Sequence, residues 1–417
     1  MLDFNNLTKS NKKLYAKTKD CCGCGACAYI CPQNAIMMKL DSCGAYYPTI
    51  DGEKCIGCNL CINTCAFKAP QQNHIEKAYA AVNNNEMQLH ISSSGGAFAS
   101  IASYFLDQGD AVCGVIMDLE RDDDKIHHCL ITKSEELSSL QGSKYGQSRV
   151  FDIYSVCDEL LKDNKRILFT GTPCQVNAFK QLFKQYSDQI FTLDLVCHGV
   201  PGNKLFDDYI RFIESKTGYK ITSFVFRDKD YGWGCNGKYS SVSVVNDGEE
   251  QRMKLECKEI SSSSSYYHYF LSGDIYRDSC YECPFASSER SGDLTIGDYW
   301  GIDKCNPELL FENNGPFLKE KGISCILVNT EKGSDLLLKD NLYCSLVEVD
   351  KADVIRGNTQ LNHPIELTDK REKIMTSYRI HGYAGIEKRF SSEIKQKKIR
   401  NAVSRIIPKS VKQLIKR

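Results

Sequence analysis

Apolar positions along this chain fall into two periods that take turns. "AFASIASYFLDQG" (97–109) places its apolar residues three and four apart, which predicts an amphipathic helix. "DAVCGVIMD" (110–118) is apolar without a break, which predicts a buried strand. The alternation continues through "SVCDELLKD" (helix), "KRILFTG" (strand), "PCQVNAFKQLFKQY" (helix) and "IFTLDLVC" (strand). Strands alternating with helices predict a large α/β domain with a mainly parallel or mixed sheet. Ligand sites in such sheets lie at the carboxyl ends of the strands. Ahead of it, "KAPQQNHIEKAYAAVNNNEMQ" (68–88) is polar and asparagine-rich and reads as a connection. The chain thus divides into a small unit at 1–75, a large domain at 76–370 and a tail at 371–417.

Composition narrows the class. The 417 residues carry 53 basic and 53 acidic side chains, a formal net charge of +0, which argues against a general nucleic-acid binder. The first twenty residues are polar and lack a secretory core, and no run reaches the roughly 18 apolar residues of a spanning helix. The expectation is a cytoplasmic chain. In that compartment 22 cysteines are more readily metal ligands or catalytic groups than disulfides.

The small unit carries the strongest pattern. Cys21, Cys24, Cys27 and Cys31 follow C-x2-C-x2-C-x3-C, with Pro32 next, and Cys55, Cys58, Cys61 and Cys65 repeat the spacing. One zinc ion takes four ligands and usually draws them from two short hooks. Three close cysteines suit three irons of a cubane, the fourth ligand coming from the other motif when two clusters share a domain. Cys21, Cys24, Cys27 and Cys65 are therefore assigned to one cluster, and Cys55, Cys58, Cys61 and Cys31 to the other. Gly23, Gly25, Ala26 and Gly57 let the backbone wrap closely. This unit resembles the bacterial-type ferredoxin domain with two 4Fe–4S clusters, an α+β fold, over about residues 15–70. Ala66 stands where the motif would have a second proline. Cys22 and Cys43 fall outside the pattern and read as spare thiols.

In the large domain, "SSSGGAFAS" puts Ser94, Gly95 and Gly96 before a helix, which suits either a phosphate cradle or a plain serine-capped entrance. "LQGSKYGQS" sets Lys144 and Tyr145 among small residues, fit for a flavin or nucleotide, or for a solvated turn. Cys174 and Cys197 each follow a predicted strand, and Cys280 and Cys283 form a C-x-x-C hook. Together they supply four thiolates, enough for one more metal centre.

"GTPCQV", "LVCHGVP" and "CYECPFASSERSGDLTIGDYWG" resemble motifs of the family of coenzyme F420 hydrogenase/dehydrogenase beta subunits, over about residues 15–305. That resemblance implies a flavoprotein with FAD, its flavin site at the "SSSGG" and "GSKYG" loops. It also implies a third 4Fe–4S cluster on Cys174, Cys197, Cys280 and Cys283. Family members pass electrons between clusters and a flavin, which exchanges hydride with F420 or another two-electron partner. Chlorophyll-derivative reductases belong to the same wider group. Clusters carry one electron and flavins one or two, so the combination makes a wire ending in a converter.

Other features stay open between roles. His198 is a candidate proton donor or a hydrogen-bond partner of the cluster. Arg227, Asp228, Lys229, Tyr231 and Trp233 read as ring and anion contacts, or as a charged hairpin. Arg290, Asp293, Asp298, Tyr299 and Trp300 read as packing around cluster and flavin. Cys113, Cys129, Cys157, Cys235, Cys257, Cys305, Cys325 and Cys344 read as structural, and the serine run at 261 as a loop or flap. From Lys388 onward Glu393 is the only acid among many lysines and arginines, with Ile399, Val403, Ile406, Ile407, Val411 and Ile415 at helical spacing. Such a basic helix suits an anionic membrane face, an acidic partner, or its own domain.

The leading expectation is an oxidoreductase served by a redox partner protein, such as ferredoxin or a dehydrogenase subunit, and by a small-molecule carrier or substrate. Its oxygen-sensitive clusters suit an anaerobic host. The alternative is an electron-transfer subunit without its own substrate, serving a separate catalytic protein, by analogy in cell-surface polysaccharide synthesis. A zinc-bound scaffold is the third reading.

Overall fold

The computed structural model describes residues 14–406 apart from 219, 235–238, 247–248 and 257–263. In the first lobe β1 (Ile36–Leu40) pairs antiparallel with β2 (Tyr46–Ile50), between two one-turn helices, Ala26–Tyr29 and Leu60–Asn63. A two-residue strand β3 (Asn73–His74) then leads into β4 (Lys77–Asn83).

The rest is a mixed α/β body. Its strands are β5 (Ala111–Met117), β6 (Ile126–Ile131), β7 (Ile167–Gly171), β8 (Ile190–Leu195), β9 (Lys220–Val225), β10 (Tyr239–Asn246) and β11 (Glu249–Glu256). After these come β12 (Glu289–Arg290), β13 (Leu294–Asp298), β14 (Ser324–Val328) and β15 (Cys344–Val349). Eight of them form one sheet in the order β15-β4-β14-β13-β8-β7-β5-β6. The run β13-β8-β7-β5 is parallel, and β6, β14 and β15 join antiparallel. β7 is buried at every position, as a central parallel strand covered on both faces must be.

Helices cover both faces. Ala97–Asp107 buries Ile101, Ala102 and Phe105 against Val112, Leu168 and Leu193. On the other face, Ile153–Lys162 and Pro173–Leu182 pack Tyr154, Phe179 and Leu182 against Cys113 and Phe169. Phe169 and Phe179 stack with centroids 4.0 Å apart. Each such side chain contributes about 1.5–3 kcal/mol by leaving water. A third, aromatic core joins Asn203–Thr217 and Ser265–Leu271 to the last two helices.

Two readings change. The polar stretch 68–88 contains β4, which lies between β14 and β15 with Ala78, Ala80 and Ala81 fully buried. Alanine and asparagine are weak strand formers, so the local signal pointed to a linker. The tail begins as two helices, Asp369–His381 and Tyr383–Ile406, whose Ile374, Met375, Tyr378, Tyr383, Ile386 and Phe390 complete the aromatic core. Residues 407–417, the side chains of 401–406, Cys235, Cys257 and Ser261–Ser263 lie outside the described residues. Among the described residues no helix is long and apolar enough to cross a membrane.

Candidate functional site

The two cysteine motifs repeat in the backbone as well as in the sequence. Gly23 and Gly57 both take φ near +70°, and Gly25 and Asn59 lead the two short helices from the same left-handed conformation. Cys27 lies in the electrostatic field of Cys21, Cys65 and Cys61, whereas Cys61 lies in that of Cys58, Cys31 and Cys55. The fold therefore gathers the thiols crosswise, Cys65 towards the first motif and Cys31 towards the second. A cavity lined by Cys21, Cys24, Cys27, Cys61 and Cys65 opens at the first group. Backbone N–H groups aim at the sulfurs, Gly23 N at Cys21 Sγ (3.4 Å) and Ala35 N at Cys31 Sγ (3.3 Å).

A third thiol group forms at the carboxyl ends of the central strands. Gly171 of β7 lies opposite Asp194 of β8, so Cys174 and Cys197, just beyond, emerge side by side. The hook carrying Cys280 and Cys283 is brought to them because Arg277 N donates to Val200 O (2.9 Å), while Val200 N donates to Cys280 Sγ (3.4 Å). Behind it lies a fully buried ion pair, Arg290 to Asp194 at 2.8 Å. Asp194 also accepts from Ser291 N, Gly292 N and Thr295 Oγ1, clamping the hook's exit to β8. Cys174, Cys197, Cys280 and Cys283 line one cavity together with Cys22, Gln147, His198 and Arg277.

The donor chemistry fits clusters. All these cysteines are free thiols. Burial pushes Cys280 up to about 11, against the pull of Val200 N–H and the Arg277 guanidinium. Burial likewise raises Cys27 and Cys197, and neighbouring sulfurs add to it. A cationic iron core reverses that preference by binding thiolate and releasing the proton. Among the described residues no three His, Cys, Asp or Glu side chains stand close enough together to hold a metal ion as they are placed; the thiols line the two cavities. N–H groups directed at sulfur are the contacts that tune such clusters.

The first and third thiol groups meet at one residue: Cys22 is buried and lines both cavities, beside Cys24 in the first and Cys174 in the other. The reading of Cys22 as a spare thiol gives way to a position at the junction. Arg277 shares that position. Neither was singled out by spacing: Cys22 breaks the repeat, and an arginine three residues before a C-x-x-C hook is unremarkable. Gln147 and Asp194 were missed for the same reason.

The loops expected to hold a flavin gather at the same end of the sheet. Asn83 N, at the end of β4, donates to Gly95 O (2.7 Å). A Cβ on Gly95 would meet Ala81 O at 2.2 Å, so this glycine admits the loop against the sheet. Ser93 Oγ accepts from Ser143 N (2.7 Å) and pairs with Ser143 Oγ (2.8 Å), joining "SSSGG" to "GSKYG". Ser94 Oγ donates to Ile323 O (2.9 Å). Lys144 donates to the carbonyls of Leu140 (2.9 Å) and Gln141 (2.7 Å), and burial lowers its ammonium to about 7. Tyr145 stacks on Phe270 at 4.6 Å. Both side chains are thus engaged within the fold.

The 226–234 loop joins this group. Lys229 donates to Leu89 O and Ser94 O. Arg227 forks onto Asp298 at 2.6 and 3.0 Å, Trp233 Nε1 donates to Asp298 at 2.8 Å, and Trp233 lies parallel to Trp300 at 5.0 Å. His198 lines the thiol cavity within the field of Asp298 and Arg227.

Three stretches match family descriptions: residues 20–69 a 4Fe–4S dicluster domain, 78–154 the N-terminal part of the coenzyme F420 hydrogenase/dehydrogenase beta subunit, and 164–352 its C-terminal part. A component of the F420H2 dehydrogenase of Methanosarcina mazei is 24% identical over 190 residues, 42% of this chain and 53% of that protein. The chain therefore spans about half that relative's length. An uncharacterized protein of Methanocaldococcus jannaschii is 22% identical over 398 residues, 88% of this chain and 99% of its own. A chain of the F420-reducing NiFe hydrogenase complex from Methanosarcina barkeri covers 75% of this chain and 95% of itself, at 14% identity and a TM-score of 0.43. The beta-subunit descriptions run from the strand that follows the cysteine-rich lobe to the last strand of the sheet. The chain belongs to the family of coenzyme F420 hydrogenase/dehydrogenase beta subunits and carries a 4Fe–4S dicluster domain at its head.

Proposed function

We propose that this chain is an iron–sulfur flavoprotein oxidoreductase that passes electrons between a protein donor or acceptor and a two-electron carrier or substrate. The observation that carries this reading is the place of Cys22, which lines both the cavity of the first thiol group and that of the third. Cys31, Cys55, Cys58 and Cys61 would hold an outer cluster, Cys21, Cys24, Cys27 and Cys65 an inner one. Cys174, Cys197, Cys280 and Cys283 would hold a third. Such clusters would supply one-electron steps, and a bound FAD would supply conversion to hydride chemistry.

The residues around them prepare the site. Asp194 and Arg290 hold the third ligand set rigid, and Gly95 lets the 92–96 loop lie on the sheet. Ser94, Gly95, Gly96, Lys144 and Tyr145 would border the flavin. His198 would hold a proton at the cavity mouth. The organisation into 1–75, 76–370 and 371–417 follows the same reading, with coenzyme F420 or another two-electron partner at the flavin.

A second reading, an electron-transfer subunit without its own substrate, is favoured by the relative named as a dehydrogenase subunit. Anaerobic purification with iron, sulfide and flavin counts separates the two. The expected result is about twelve irons, four per cluster, and releasable FAD. Reduced ferredoxin or F420H2 should bleach that flavin. Clusters without flavin would leave the second reading. Flavin that neither reductant bleaches would overturn the mechanism.

A further inference from the structure

Arg277 is 3% exposed and carries a charge that nothing neutralises in the usual way. Among the described residues no carboxylate pairs with it. Its donors go to neutral oxygens: Cys21 O (3.0 Å), Tyr46 O (3.3 Å), Ser279 Oγ (3.1 Å) and Gln147 Oε1. Its guanidinium lies 4.9 Å over the Tyr47 ring. A buried cation without a counter-charge costs several kcal/mol, so such a group calls for an anion nearby.

Its position names the anion. The backbone of Arg277 belongs to the third thiol group, between Val200 O and Cys280 N, which donates to Arg277 O at 3.0 Å. Its side chain belongs to the first: a Cβ on Gly23 would meet the guanidinium at 2.5 Å, so only glycine leaves room for it there. Cys21 and Cys280 both lie in its field. Gln147 fixes it from behind, accepting from Arg277 while its Nε2 donates to Cys22 O (2.8 Å). The second motif's thiols are not among its partners.

We propose that Arg277 is the shared counter-charge of the inner and third clusters, a positioning residue that raises the reduction potential of both and leaves the outer cluster alone. This rests on the cluster assignment proposed above. Each reduction adds one electron, and so one negative charge, to a cluster and its thiolates. A fixed cation beside two clusters favours the reduced form of each.

The test is an EPR-monitored redox titration of the full chain, with dithionite as reductant. Signals are assigned using the Cys58→Ala variant, which lacks the outer cluster. In Arg277→Gln two potentials should fall, each by at least a tenfold change in the reduction equilibrium, about 59 mV for one electron. The outer cluster's potential should stay. Arg277→Lys should restore most of the loss. Gln147→Glu, which sets a carboxylate against the guanidinium, should lower the same two. Full iron content with unchanged potentials in Arg277→Gln overturns the proposal, as does an equal shift of all three. If Arg277→Gln loses iron, Gln147→Glu decides: unchanged potentials there overturn it. A wild-type count of about eight irons would instead sink the cluster assignment itself, which separates the two failures.

Discussion

The two cysteine motifs have one spacing and opposite surroundings. The N-terminal motif is pressed into the body of the protein. Tyr154 Oη donates to Cys24 O at 2.9 Å, Phe151 stands against Gly25, and Arg277 fills the space at Gly23. The other motif faces outward: Cys58 is exposed, Gly57 has no neighbour within 4 Å of where a Cβ would be, and Ile56 and Leu60 are 66% and 42% exposed. Spacing therefore makes the two motifs alike, and packing sets them apart, one against the body and one towards solvent; under the proposed function the outward one would meet the partner.

That contrast can be broken most forcefully by removing a ligand. Cys24→Ala and Cys58→Ala should each lose about four of about twelve irons, but with different results. Without the outer cluster, dithionite should still reduce the flavin. Without the inner one, flavin reduction by ferredoxin should stop. Equal behaviour of the two variants in stopped-flow reduction would erase the distinction between inner and outer.

A subtler pair is Gly25→Ala and Gly57→Ala. Both positions need a left-handed backbone, which costs an L-residue about 1–2 kcal/mol. At Gly25 the new methyl would also meet Phe151 Cβ at 2.4 Å, adding about 1–3 kcal/mol of overpacking. Anaerobic urea unfolding should show Gly25→Ala losing about twice as much stability as Gly57→Ala or more.

The smallest expected effect is at the surface. Ile56→Ser with Leu60→Ser should leave stability within about 0.5 kcal/mol. The variant should nevertheless slow electron uptake from reduced ferredoxin severalfold, with dithionite reduction unchanged. An undiminished ferredoxin rate would move the docking face elsewhere.

The dicluster unit at 20–69 was legible because eight thiols at one repeated spacing are a chemical signal that survives without context. The alternation that announced the α/β body was legible because β5, β7 and β8 are mostly apolar strands set between amphipathic helices. β4 was not, since alanines reveal their burial only when β14 and β15 close on them. Cys22 and Arg277 were illegible for a related reason. Their significance lies in what stands on either side of them, and one neighbour is about 150 to 250 residues away in sequence. Lys144 and Tyr145 read as a flavin contact or a solvated turn, because turn composition says nothing of tertiary partners such as Leu140 O and Phe270. The last helices read as a basic tail open to a membrane face, a partner or its own domain, since lysines hid the Ile386 and Phe390 stripe that docks them.

β4 follows the small lobe with almost no slack. β3 pairs with β12, Glu76 N donates to Val328 O at 2.8 Å, and the sheet begins at Lys77. A carrier on a tether must swing between its partners, and solvent viscosity then governs its speed. Here the lobe runs straight into β4, the second strand from the sheet's edge, so its position against the body is set at folding. Cutting the chain at this joint would leave β4 between its two neighbours but strip β12 of β3, so trading the lobe as a cassette means rebuilding that pairing.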